Sequence, residues 1–272
     1  MRKEILVKYK SSALGVVWSM LNPVLYLAVF SLFYSIVLPG RVPNFPVYLL
    51  SGLLAWNLFA NSLVLGVRSV VDNANLVTKV YFPREILPLA SVGSALTDFA
   101  VQGAVLVGFL VLFRHGHAGL NLLLLPLSLV ALVVFTAALA LWIAALNVRY
   151  RDTQHLLNIA LLTWFWLTPV IYPSALVGSH LADGRLLGVP LLYLYLANPM
   201  ADVIMGFQRA IYGAVTVTAT VDGATRQVAV LLPVSVGWLA VLLGAVAAGS
   251  LVVLTVTWRS FFHMSGDFAE EL

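Results

Sequence analysis

Few side chains in this sequence offer covalent chemistry. The 272 residues include no cysteine, which excludes disulfides and thiolate metal sites. No general acid and base pair, nucleophile constellation or G-x-x-x-x-G-K-[ST] phosphate loop occurs, so we expect neither an enzyme nor ATP binding of that kind within this chain. His115 and His117 form an H-x-H, but two ligands without a third make a poor metal site, and we expect no metal.

Asp98 is the one acidic residue inside the long apolar segments of the chain. Carboxylates within a membrane are candidates for functional sites, although the sequence offers this one no obvious cationic partner. Two interpretations stay open: Asp98 lines a conduit, or it is hydrogen-bonded between helices.

The composition indicates a membrane protein. Hydrophobic residues make up 61% of the chain and charged residues 10%, a balance typical of a polytopic membrane protein. A spanning helix needs about 20 apolar residues, and six runs qualify: residues 16–38, 47–67, 86–113, 122–146, 155–172 and 233–258. Because these runs are apolar on every face, unlike barrel strands, we predict an all-α bundle of six transmembrane helices in a single domain, 1–272.

The orientation follows from the basic residues, which favour cytoplasmic loops. With both termini in the cytoplasm, ten of the 15 lysines and arginines lie on the inner side, so we predict that orientation. We interpret the net charge of +4 as a topology signal and expect no nucleic-acid partner. The absence of cysteine fits a bacterial inner membrane.

Residues 73–85 then form a cytoplasmic loop between the second and third spans. The loop reads NANLVTKVYFPRE, and a short helix is predicted at 75–81, ending before Pro83 because proline lacks a backbone donor. Two interpretations stay open. The helix docks into a groove on a partner, or the loop only fixes the topology through its positive charge.

Two further regions are predicted to lie at the membrane surface. Residues 1–13 have the spacing of an amphipathic helix, which we place in the interface among membrane lipids. In the external segment 174–232, residues 186–197 are apolar but too short to cross, and Asn198, Pro199 and Gly213 mark the start and end of a second short helix. We predict two re-entrant or interfacial helices and then an external β-hairpin at 215–230, whose role stays open.

Several motifs together resemble one family. They cover most of the chain: residues 8–10, 14–15, 18–23, 82–85, 147–152 and 168–172, with Asn198-Pro199 and Arg209. By these motifs the chain resembles the permease subunit of type 2 ABC exporters, and within them the bacterial branch that exports lipid-linked O-antigen, teichoic acid or related glycans. Two departures are the few residues before Lys8 and the hairpin, where the family has a shorter link.

The resemblance implies that two copies of this chain flank an export channel and that two copies of a separate ATPase subunit bind ATP and Mg²⁺. The loop would be a coupling helix seated in that ATPase, with the docking residues Asn75, Lys79, Tyr81, Phe82, Arg84 and Glu85. An N-terminal gating helix would meet the diphosphate of the lipid-linked sugar with Lys3, Lys8 and Lys10. Simple anchoring to anionic lipid explains each lysine equally well. The re-entrant helices that close the exit would include Asn198, Pro199 and Arg209.

Aromatic residues are candidates for lining the channel. Trp56, Trp164 and Tyr172 offer ring faces on which sugars stack. The alternative is an interface belt, which also occurs in membrane proteins that transport nothing.

Three functions stay in view. The favoured one is the permease of an ATP-driven exporter that moves lipid-linked polysaccharide from the cytoplasm to the outer side of the inner membrane. The alternatives are a related permease for drugs or small lipids and a membrane-embedded glycan-handling enzyme.

Overall fold

The computed structural model of the chain describes residues 17–37, 42–112, 119–181, 184–186, 188–221 and 224–271. The predicted interfacial helix at 1–13, with Lys3, Lys8 and Lys10, lies outside the described residues, as do His115 and His117. The described part is mostly helical, as the apolar runs predict.

The elements follow one another with short connections. In chain order the helices are α1 (Val17–Val37), α2 (Phe45–Arg68), α3 (Ala74–Lys79), α4 (Ile86–Leu112), α5 (Leu124–Arg149), α6 (Thr153–Trp166), α7 (Ser174–Leu181), α8 (Leu191–Leu196), α9 (Pro199–Ile211), α10 (Val236–Ser265) and α11 (Phe268–Glu271). Short 3-10 turns precede α3 and α5, at Val71–Asn73 and Leu120–Leu123. Two antiparallel strand pairs are present: β1 (Arg185–Leu186) with β2 (Val189–Pro190), and β3 (Thr216–Val221) with β4 (Ala224–Ala229).

Four helical segments in the described part are long and apolar enough to cross a membrane. They are α2, α4, the segment Leu120–Arg149 that contains α5, and α10, and they coincide with four of the six predicted spans. α1 lies in the first predicted span with 21 residues, and its stretch Val24–Ile36 is apolar. The count of six spans stays a prediction.

The fifth predicted span, 155–172, is not one continuous helix. α6 ends at Trp166 after 14 residues, so it measures roughly 21 Å at 1.5 Å per residue, less than the hydrocarbon core of about 30 Å. The sequence predicts a kink at Pro169 within this span, but the helix instead ends before that residue. Proline has no N–H for the Phe165 carbonyl, which accepts from the Thr168 amide at 3.3 Å and the Thr168 hydroxyl at 2.9 Å.

The core of the bundle forms around α2, most of whose residues are buried. α2 packs against α4, α5, α6 and α9, while α10 packs along α5. α2 and α5 approach closely at Gly66, where an added Cβ would lie 3.3 Å from the Ala140 Cβ. α9 contacts α2, α5 and α10, so a helix of only 13 residues is buried among the long ones.

The described residues of the segment 174–232 contain three short helices, where the sequence predicts two. α7 and α8 are separated by the small β1–β2 pair, and α9 follows directly. The predicted limits of α9 are present: Asn198 is the N-cap, Pro199 follows it, and Gly213 lies just past the end with φ of 81°. The hairpin is also present, with Thr216 opposite Ala229.

Candidate functional site

The predicted coupling segment exposes an apolar and basic surface. α3 ends at Lys79, two residues earlier than predicted, because Val80 adopts extended backbone angles. Leu76, Val80 and Tyr81 are exposed, and the Tyr81 side chain is fully exposed at 105%. Asn75 and Lys79 are exposed beside them. We call these five residues the α3 surface.

The opposite side of the segment packs into the protein. Val77 is 2% exposed and belongs to an apolar group, here called the α3 cluster, that includes Val148 of α5, Phe261 of α10 and Phe268 of α11. Phe82 is partly buried against the same cluster. The α3 cluster is distinct from the main core of the bundle, so α3 has its own packing contacts.

Arg84 connects the segment to the end of α10. Its guanidinium donates a hydrogen bond to the Ser265 carbonyl oxygen, and a cation at this place stabilises the unpaired carbonyls at a helix C-terminus. Arg84 and Glu85 are partly buried. The structure thus divides the six predicted docking residues: Asn75, Lys79 and Tyr81 are exposed, whereas Phe82, Arg84 and Glu85 are partly buried.

The second candidate region is the irregular turn 167–172 after α6, where backbone carbonyls lack helical partners. Side chains of three helices donate to them: the Tyr34 hydroxyl to the Ile171 oxygen at 2.8 Å, the Tyr48 hydroxyl to the Tyr172 oxygen at 2.6 Å, and Gln208 Nε2 to the Pro169 oxygen at 2.7 Å. Within a bilayer an unsatisfied backbone group costs several kcal/mol. These three donors therefore permit a non-helical turn at this place in the bundle.

Asn198 connects this turn to the predicted exit region. Its side-chain oxygen accepts from the Met200 amide at 3.1 Å, which caps α9, and from the Trp164 indole at 2.8 Å. Its amide nitrogen donates to the Leu167 carbonyl at 3.3 Å. One side chain thus joins the start of α9 to the end of α6.

The predicted channel-lining aromatics have different surroundings. Trp164 borders a groove of about 550 Å³ that Asn198 and Pro199 also line. Trp56 is buried, with its ring centroid 5.7 Å from that of Phe59 and 5.3 Å from that of Phe165. Trp164 is therefore accessible from the groove, whereas neighbouring rings cover Trp56 within the chain.

Tyr172 lies at the end of the irregular turn. Its side chain is partly buried, and its hydroxyl donates to the Trp166 carbonyl at 3.0 Å. This bond bridges the turn from its last residue to the last residue of α6. Tyr172 thus helps to shape the turn, and its role in lining a channel stays a prediction.

Two acidic side chains are buried, Asp98 on α4 and Asp202 on α9. Asp98 on α4 is buried in the bundle, which is compatible with both interpretations of its role. Asp202 on α9 is 1% exposed, and burial raises the pKa of its carboxyl to about 7, because desolvation disfavours the charged form. Arg209 on the same helix is partly buried, and desolvation lowers its pKa.

Sequence reasoning missed Tyr34, Tyr48, Asp202 and Gln208. A signal for three of them exists in the sequence. Tyr48 lies within an apolar run, and Asp202 and Gln208 lie in a short helix that is otherwise rich in apolar residues, where a buried polar group needs a partner. The carbonyl that Gln208 contacts lies 39 residues away in the sequence, and those near Tyr48 lie more than 120 residues away, so the signal identifies these residues and not their contacts.

Long apolar helices pack around α2, and a short exposed helix lies between two of them. This arrangement is typical of a multi-pass membrane protein with a surface for a partner. The family model of the ABC-2 type transporter matches residues 1–182. The chain belongs to this family and is a multi-pass membrane protein, a transport subunit and not an enzyme. Membership implies pairing with an ATPase subunit.

Particular relatives confirm the predicted resemblance. The chain is 31% identical to the O-antigen export system permease protein RfbA of Myxococcus xanthus over 211 residues, which is 78% of each chain. It is 28% identical to the O-antigen export system permease protein RfbA of Klebsiella pneumoniae over 206 residues, 76% of each chain. A further Klebsiella pneumoniae protein of the same name is 26% identical over the same share.

Proposed function

We propose that this chain is the permease subunit of an ATP-driven exporter that moves lipid-linked polysaccharide from the cytoplasm to the outer side of the bacterial inner membrane. The observation that carries the proposal is its similarity to three O-antigen export permeases over roughly three quarters of each chain. These relatives favour polysaccharide over drugs, small lipids or an enzymatic role on glycans.

The α3 surface is the docking site for the ATPase subunit in this proposal. Short helices that present apolar residues fit grooves on partner proteins, and the exposed ring of Tyr81 with Lys79 beside it offers both apolar area and positive charge. ATP and Mg²⁺ bind in the ATPase, and this chain holds no cofactor. Loop charge favours a cytoplasmic position for α3 and for both termini.

A second copy of this chain completes the conduit. α6 carries an exposed apolar stripe of Leu156, Ile159 and Leu162, and α1 carries one of Val29, Leu32 and Ile36. A partner protomer packed against these stripes would enclose the groove beside Trp164. Lys3, Lys8 and Lys10 would receive the lipid diphosphate on the inner side.

The exit lies at α8 and α9 in this proposal. α9 is buried against the bundle, and its start is connected to α6 through Asn198. Asn198, Pro199 and Arg209 therefore belong to a rigid element that closes the outer end. Tyr172 and Asp98 remain proposed residues of the conduit between the two ends.

Co-expression with the ATPase subunit tests the proposal. We expect a stable complex of two permeases and two ATPases whose ATP hydrolysis is stimulated by purified lipid-linked polysaccharide. Drug-like cations and phospholipids serve as control substrates and should leave the rate at its basal level. Failure to form a complex, or stimulation by the control substrates alone, would contradict the proposal.

A further inference from the structure

The chain returns to α3 after its last long helix. α11 packs against α3, α5 and the end of α10. Phe268, the first residue of α11, is 1% exposed, and its ring stands edge-on to that of Phe261, with centroids 5.4 Å apart and an interplanar angle of 84°. Both rings share the α3 cluster with Val77.

α3 depends on these contacts. A helix of six residues is too short to be stable alone in water, because few hydrogen bonds offset the cost of forming its first turn. Val77 is its one buried side chain. Packing in the α3 cluster is therefore the main interaction that fixes the helix against the bundle.

A second connection lies just beyond α3. The guanidinium of Arg84 donates to the Ser265 carbonyl at the end of α10. The segment that carries the exposed Tyr81 is thus fixed on both sides, by Val77 in the cluster and by Arg84 at Ser265. Both connections involve the stretch 261–268, through Phe261 and Phe268 in the cluster, where Val148 of α5 also packs, and through the Ser265 carbonyl.

We propose that residues 261–268 form a strap that positions α3 and holds the α3 surface outward. Phe268 and Arg84 are positioning residues in this inference, which rests on the proposed docking of the ATPase at α3. The strap joins that surface to α10, a helix of 30 residues that packs along the bundle. Displacement of α3 by the ATPase would therefore act directly on the end of α10.

Hydrogen exchange of the purified permease in lipid nanodiscs, without the ATPase, tests the strap. We expect Phe268→Ala to raise exchange of the α3 amides roughly tenfold or more, while the α2 amides keep their protection. Phe268→Leu, which keeps an apolar side chain, should restore most of the protection. Phe262→Ala is the matched control, because Phe262 lies on the same helix end but is 68% exposed, and it should leave exchange unchanged.

Arg84→Gln tests the strap without removing a ring from the α3 cluster. It is the decisive variant if Phe268→Ala also raises exchange of the α2 amides. It should raise exchange at α3, and Arg84→Lys should restore part of the protection. Wild-type exchange at α3 in both Phe268→Ala and Arg84→Gln would overturn the proposal.

Capture of the ATPase by the same variants separates the strap from the docking site. Raised exchange with weakened capture supports both. Raised exchange with unchanged capture supports the strap and contradicts docking at α3.

Discussion

The indole nitrogen of Trp164 donates a hydrogen bond to the side-chain oxygen of Asn198 at 2.8 Å. The same oxygen accepts from the Met200 amide and caps α9. The contact therefore joins α6, whose Trp164 borders the groove, to the helix proposed to close the exit. Substitution of either residue should therefore alter the contribution that the other makes to stability.

Asn198→Ala should lower the thermal stability of the permease in detergent. The substitution removes a helix cap and the acceptor of Trp164, which together correspond to about 1–2 kcal/mol of unfolding free energy. Trp164→Phe removes only the donor and keeps a ring. A double-mutant cycle should give a coupling of about 1 kcal/mol, and strictly additive effects would show that the bond contributes nothing.

Tyr48→Phe should destabilise the irregular turn. The Tyr48 hydroxyl donates to the Tyr172 carbonyl and lies 3.2 Å from the Pro169 carbonyl. Its removal leaves the part-buried Tyr172 carbonyl without this donor, at a cost of about 1 kcal/mol, while the Pro169 carbonyl keeps the Gln208 amide. Thermal unfolding should show a lower midpoint than for wild type. Tyr193→Phe is the control, since that side chain is exposed. Equal midpoints for the two variants would contradict the assigned role of Tyr48.

Gly206→Ala should disturb the contact of α9 with the bundle. An added Cβ would overlap Ser128 Oγ of α5 and lie 3.0 Å from Leu243 Cδ1 of α10, and overpacking of this kind costs about 1–3 kcal/mol. Gly244→Ala is the matched control, because no atom lies within 4 Å of its added Cβ and alanine favours a helix. We expect a lower unfolding midpoint for the first variant and an equal or higher one for the second. The opposite order would mean that α9 is not packed as described.

Tyr81→Ala should impair binding of the ATPase and leave the permease fold intact. The side chain is fully exposed, so the unfolding free energy should change by less than about 0.5 kcal/mol. Loss of an aromatic side chain from the centre of an interface should weaken affinity about tenfold or more, which titration of the ATPase against the purified permease would measure. Tyr193→Ala removes another exposed ring and should bind normally. Wild-type affinity for Tyr81→Ala would exclude this ring from the interface.

The sequence predicted those elements whose limits depend on neighbouring residues, namely α9 and the hairpin. The limits of α9 followed from Asn198, Pro199 and Gly213, and the hairpin followed from the alternation around 215–230. The end of α6 was harder to predict. An apolar run indicates that its residues avoid water, but it does not show whether the helix is continuous. Pro169 indicated a disturbance, but the sequence does not show that the Thr168 hydroxyl satisfies the Phe165 carbonyl and lets the helix end.

Contacts between distant residues account for what the sequence could not predict. Tyr48 is 121 residues from Pro169, and Arg84 is 181 residues from Ser265, so no local spacing pairs them. The resemblance to known exporters singled out Arg84 as a docking residue, whereas the structure also gives it an internal partner. Tyr81, whose surroundings are mostly solvent, is exposed as a docking residue must be.

Transport in sealed vesicles tests directly whether this chain is the permease of an ATP-driven polysaccharide exporter. Vesicles containing this permease and its ATPase, with the ATPase facing outward, would be given lipid-linked polysaccharide and ATP, and polysaccharide protected inside them would be measured with a glycosidase added outside. We expect protected polysaccharide to accumulate only with hydrolysable ATP and with both subunits present. Accumulation that is independent of ATP, or an active ATPase complex that protects no polysaccharide, would contradict it.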